Sequence, residues 1–139
     1  SYDRYQEILR SSDIALLPLN PTRFNSLKSD LKFIECAAHG VVALASPTVY
    51  IATLRHGETG LIFGSPEEFE VLLTQLIADA PLRRRLADAA YRYVADERLL
   101  ARHYRERYRW YTQMLDRLPA LNRELRARVP ELFLDPSRE

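Results

Sequence analysis

These residues predict an α/β fold, built on a parallel sheet and followed by a helical extension. Three observations carry that expectation. Two short apolar runs, around Ile14–Leu17 and Val41–Ser46, are continuous rather than alternating and each is ended by a proline, Pro18 and Pro47. Such runs suit strands covered on both faces, the pattern of a parallel sheet. Helical spacing appears between and after them. Ser65-Pro-Glu-Glu68 places Ser at an N-cap, Pro at the first helical position and Glu at the third, which is a strong helix start.

Along the chain, Tyr2, Tyr5, Ile8 and Leu9 recur at helical intervals until Ser11-Ser12-Asp13 interrupts them. A strand over Ile14–Leu17 follows, then a polar loop from Leu19 to Leu27. Ser29 is the expected N-cap of a helix running to about His39, and Gly40 is well suited to stop it. After the second strand come a short helix from about Tyr50 to Arg55, a turn at His56–Gly60 and a brief third strand, Leu61–Phe63. The helix begun at Ser65 should reach about Asp79, and Pro81 opens another to about Ala95. From Glu97 onward the pattern is helical only, with a break expected near Pro119 and a final short helix ending before Pro130. The expected organisation is an α/β domain over residues 1–96 and a helical extension over residues 97–139.

Composition narrows the function. A length of 139 residues suits one core-forming domain. The net charge of +1 argues against a general nucleic-acid binder. One cysteine, Cys36, permits no internal disulfide and suits a reducing compartment such as the cytoplasm. No apolar run approaches membrane-spanning length. Because the chain opens on Ser1, a longer parent protein is expected. His39, His56 and His103 are scattered without ligand spacing and no Asp-x-Asp pair occurs, so neither a metal nor another cofactor is expected.

Of 20 basic residues only two are lysine, and both fall in Lys28-Ser-Asp-Leu-Lys32, with Glu35 three positions on. A helix beginning there would aim free N–H groups and its positive dipole end at an anion such as a phosphate. Backbone N–H groups of Ser29 and Asp30 with the ammoniums of Lys28 and Lys32 could then hold a diphosphate, and Glu35 could accept from hydroxyls. Residue types alone leave an equal alternative, in which the lysines are solvated and Glu35 pairs with one of them at the surface. The Asp30 carboxylate would repel a phosphate unless it points away. Tyr93, Leu100, Tyr104, Tyr108 and Tyr111 make an apolar stripe at helical intervals, and the arginines around them alternate with acids, which speaks for packing rather than nucleic acid.

The block from Phe24 and Asn25 through Lys28-Ser-Asp-Leu-Lys-Phe-Ile-Glu35 to Gly40-Val-Val-Ala-Leu-Ala-Ser46, followed by Arg55-His-Gly-Glu-Thr-Gly60-Leu-Ile-Phe, resembles the carboxy-terminal, donor-binding half of GT-B glycosyltransferases of the group 1, or family 4, type. Ser12-Asp13-Ile-Ala-Leu-Leu-Pro18 is similar to that family's strand leading to the donor site. The resemblance covers about Tyr2 to Tyr111. It implies a Rossmann-like sheet, incomplete here, and a retaining transfer of sugar from a nucleotide diphospho-sugar without a metal. The resemblance gives Glu35 the role of the glutamate that holds the donor ribose and aligns Lys28–Leu31 with the backbone that approaches the diphosphate. The family's other glutamate, which touches the sugar, falls on Leu27, so that contact would pass to Asn25 or Lys28. It also implies a missing amino-terminal domain that binds a sugar or lipid-linked acceptor, without which this part is inactive alone, and a role in glycan biosynthesis at or near the inner face of a membrane. The last long helix would brace that domain, or drive dimerisation in its absence. The competing expectation is a non-catalytic α/β scaffold that has lost its donor contacts.

Overall fold

A computed structural model describes residues 1–133. They form two compact units, one over Ser1–Leu99 and a second from Leu100 onward.

The first unit is a three-stranded, all-parallel sheet in the order β1 (Ile14–Leu17), β2 (Val42–Ala45), β3 (Leu61–Ile62). Register pairs Ile14 with Val42 and Leu17 with Ala45, then Leu44 with Leu61. The helices are α1 (Tyr2–Arg10), α2 (Arg23–Ser26), α3 (Leu31–Ala38), α4 (Pro47–Tyr50), α5 (Pro66–Ala78) and α6 (Ala80–Tyr93), with a π-helical turn over Val94–Arg98. The α/β, Rossmann-like class expected from the sequence is the one observed.

Every residue of β2 is buried, as its unbroken apolar run requires for a central strand covered on both faces. On one face Phe33 and Ala37 of α3 pack with Ala43, Ala45, Tyr50, Leu54, Ala90 and Val94. On the other, Val42 and Leu44 meet Leu76 of α5 and Leu86 and Ala87 of α6. Leu9 of α1, Cys36 of α3 and Val41 form a third cluster, so α1 lies beside α3. Gly40 follows α3 at φ 70°, the left-handed conformation that ends a helix most cheaply with glycine. At Gly60 a Cβ would stand 2.9 Å from the Ala43 carbonyl oxygen, so the chain passes β2 too closely for any side chain.

Several boundaries differ from expectation. The loop after β1 contains one helical turn, α2, because Thr22 caps it: its Oγ1 accepts from the Asn25 N–H at 3.2 Å. The short helix after β2 begins at Pro47, where proline sits at the first helical position, and not at Tyr50. The cap of α3 is Asp30 and not Ser29. In the second unit α7 (Leu100–Arg128) runs unbroken through Pro119, followed by a single 3₁₀ turn, Pro130–Phe133. Proline removes one N–H from the ladder, and the position it leaves short, Leu115, is exposed to water that can take the partner's place. No residue of α7 is buried, and Tyr108 of the expected stripe is 71% exposed. No helix among them is long and apolar enough to cross a membrane.

Candidate functional site

The loops that leave the carboxyl ends of the three strands make one rim, where ligands gather in sheets of this kind. Two features lie along it. A cleft of about 450 Å³ is lined by Leu16, Pro18, Pro47, Phe63, Pro66 and Phe69 among others. It has no charged side chain in its wall, so it offers nothing to neutralise a phosphate. Charged groups collect instead around α3.

α3 presents Glu35 on the side that faces α1. The Tyr5 hydroxyl donates to Glu35 Oε2 at 2.9 Å, and Lys32 Nζ donates to the same oxygen at 3.0 Å. Lys32 Nζ also stands 4.1 Å from the centre of the Tyr5 ring. Glu35 is thus held from two sides, with its side chain only 16% exposed. Its Oε1 accepts no hydrogen bond among the described residues. The Glu35 carboxylate raises the pKa of Lys32, and burial, with the bond to Glu35 adding to it, raises that of Tyr5. Cys36, buried one residue on, has its thiol pushed up to about 11 by burial and then by the Glu35 charge, so it is neutral at ordinary pH and a poor nucleophile. His39 Nδ1 lies 2.8 Å from the Glu35 carbonyl, a contact at the carboxyl end of the helix.

At the amino end of α3 the Asp30 carboxylate makes no cap bond. Arg98 grips it with both guanidinium nitrogens, at 2.7 and 2.9 Å, and Arg98 also donates to the Tyr93 hydroxyl at 3.1 Å. The guanidinium holds Asp30 below the usual carboxylate range. Thr53 Oγ1, buried with no partner in hydrogen-bond geometry, lies near the same carboxylate and adds to the lowering. The amides of Phe33 and Ile34 turn back to the Asp30 carbonyl, at 2.9 and 3.3 Å. Those of Leu31 and Lys32 meet no acceptor among the described residues.

Of the residues singled out from sequence, Lys32 and Glu35 therefore meet each other, with Tyr5 as a third member that spacing had not revealed. Lys28 is exposed and stands 5.0 Å over the Phe24 ring. Asn25 lies in α2, where its Nδ2 donates to the Asn20 carbonyl at 3.0 Å. Ser29 is exposed and caps nothing; Asp30, singled out for its amide, has its carboxylate bonded to Arg98. Leu27 is 79% exposed. Tyr5 and Arg98 lie 30 and 68 residues from their partners, so no local motif could have joined them. No group of His, Cys, Asp and Glu suited to a metal occurs among the described residues.

A three-stranded parallel sheet covered by helices defines an α/β, Rossmann-like domain. This chain belongs to the glycosyl transferase-like family, whose model matches residues 1–116. Among solved structures it is similar to the C-terminal domain of a glycosyl transferase group 1 family protein (LpcC) from Francisella tularensis, with a TM-score of 0.58 at 19% identity. That match covers 70% of this chain and 49% of the other, so this chain spans about half of that domain, and the likeness concerns the fold. No curated protein sequence matches the chain.

Proposed function

We propose that this chain is the donor-nucleotide part of a retaining glycosyltransferase, moving a sugar from a nucleotide diphospho-sugar to an acceptor held by a further domain. The carrying observation is Glu35. Two donors fix its carboxylate on one oxygen, which leaves Oε1 to accept from a pair of ribose hydroxyls. The diphosphate then lies one turn nearer the helix start, against the amides of Leu31 and Lys32 and within reach of Lys28. In the transfer the bond from the anomeric carbon to the diphosphate oxygen breaks, the acceptor's hydroxyl oxygen bonds to that carbon on the same face, and the hydroxyl proton passes to the departing diphosphate. Positive charge and oriented N–H groups at that oxygen stabilise the negative charge it gains. Lys32 contributes mainly through Glu35, and its ammonium can swing to the phosphate only by leaving that bond. Asn25 and Lys28 are the side chains assigned to the sugar. A place in glycan biosynthesis in the cytoplasm suits the reduced, buried thiol and the family.

Nucleotide binding is tested by melting the protein with UDP, GDP and their sugars. The expected result is a rise in Tm with one base series, weakened by salt and abolished in Glu35→Ala with Lys32→Ala. An unchanged curve with every nucleotide would sink the proposal. One observation favours the second possibility, a scaffold that keeps the fold without the chemistry: exposed Leu27 stands where the family places its sugar-binding glutamate.

A further inference from the structure

The two donors that hold Glu35 differ in character. Lys32 Nζ, 3.0 Å from Oε2, ends a flexible stem whose side chain is 54% exposed. An ammonium with three N–H groups on such a stem can follow either carboxylate oxygen, so by itself it does not set which way the group faces. Tyr5 is the stiffer anchor. It comes from α1, 30 residues away, and packs against the cluster of Leu9, Cys36 and Val41 that joins α1 to α3. Its hydroxyl has one hydrogen to give, from a ring of fixed position, and donates it to Oε2 at 2.9 Å. Oε1 receives neither bond, and it is not sealed in. Among the described residues Thr53 Oγ1 is the one buried side-chain oxygen or nitrogen without a partner, so Oε1 meets solvent. An acceptor that is already ordered and still open is suited to take a hydroxyl group at low entropic cost.

We propose that Tyr5 is a positioning residue: its hydroxyl pins Glu35 Oε2 and so keeps Oε1 directed at the ribose of a bound nucleotide, including when Lys32 leaves the carboxylate for a phosphate. The ribose rests on the function proposed above, whereas the hold of Tyr5 on Glu35 does not. With the hydroxyl gone, Lys32 alone would hold the carboxylate, and either oxygen could take the ammonium. Binding would then have to order the side chain first, and only ligands that use Oε1 would lose affinity for it.

The hold and its use are tested separately on the whole chain with Tyr5→Phe. That substitution deletes the hydroxyl and keeps the ring, with its packing and its place 4.1 Å from Lys32 Nζ. The first measurement needs no ligand: the side-chain carboxyl carbon of Glu35, followed by 13C NMR and assigned with Glu35→Gln, should move in Tyr5→Phe. A resonance that stays in place would overturn the role of Tyr5. The second is calorimetric titration with UDP, GDP and their 2′-deoxy counterparts. In the unaltered protein one base series should bind with a preference of about tenfold for the ribose form, the size of a lost hydrogen bond to a charged group. In Tyr5→Phe the ribose form should bind about fivefold more weakly and the 2′-deoxy form about as before, so the preference falls to about twofold. General damage would weaken both forms alike and leave the preference intact; that result would overturn the role. An unaltered protein that binds no nucleotide, or both forms equally, would sink the ribose assignment of Glu35 and the positioning role with it. The moved carboxyl resonance would then leave Tyr5 as a structural anchor of α3.

Discussion

The amino ends of α3 and α5 are built from similar polar material and finish in opposite states. At α5 the circuit is closed: the Glu68 amide bonds Ser65 Oγ at 3.2 Å, and Glu68 Oε2 takes the Gly64 amide at 2.6 Å. At α3 the carboxylate that could serve the same purpose is committed to an arginine 68 residues away. The first end is satisfied locally and belongs to stability. The second has its cap-position side chain drawn into a long-range contact instead. A helix start is therefore judged by where its cap side chain goes and not by which residue holds the cap position.

The sharpest way to break the contrast is to remove Arg98. Arg98→Ala should cost about 2 kcal/mol in urea unfolding at neutral pH, below the range for fully buried pairs because this one is partly solvated. The Asp30 pKa is depressed in the folded protein, so its contribution is present above the ordinary value near 3.8 and is lost as pH falls through the lower folded value. The gap between parent and variant should stay flat from neutrality down to about pH 4 and close below it. A gap that persists unchanged in acid would mean the loss comes from stem packing on Tyr93.

Closed ends should behave as ordinary caps. Ser65→Ala and Asp79→Ala should each lower stability by about 1 kcal/mol, with no effect on nucleotide-dependent melting. If either substitution altered ligand response, the division between structural and functional helix starts would fail. The smallest effect belongs to Ser29→Ala, expected within about 0.5 kcal/mol of the parent because that hydroxyl caps nothing. A loss near 1 kcal/mol would restore Ser29 as the cap of α3.

Much of the fold could be read from the residues because its signals are local. The apolar runs at Ile14–Leu17 and Val42–Ala45 announce strands by continuity, and Ser65-Pro-Glu-Glu68 announces α5 by its own closing bonds. Gly40 ends α3 because of its conformation alone. The misses have the opposite character. Asp30 in place of Ser29, and the three-way contact of Tyr5, Lys32 and Glu35, depend on residues that only the tertiary fold brings together. Pro119 was expected to interrupt α7, but on an exposed helix water offsets the missing bond and the cost falls short of a break. Lys32 and Glu35 were found by spacing; their pairing, open as an alternative at that point, is what the structure has.

Cys36 gives this corner of the molecule a built-in clock. Its thiol is sealed beneath α3 and stays protonated until about pH 11, so an alkylating reagent can reach it only while the helix is lifted off the sheet. The labelling rate under native conditions thus counts those excursions. Any molecule that settles against Glu35, the neighbouring residue, will slow the count without needing a signal of its own.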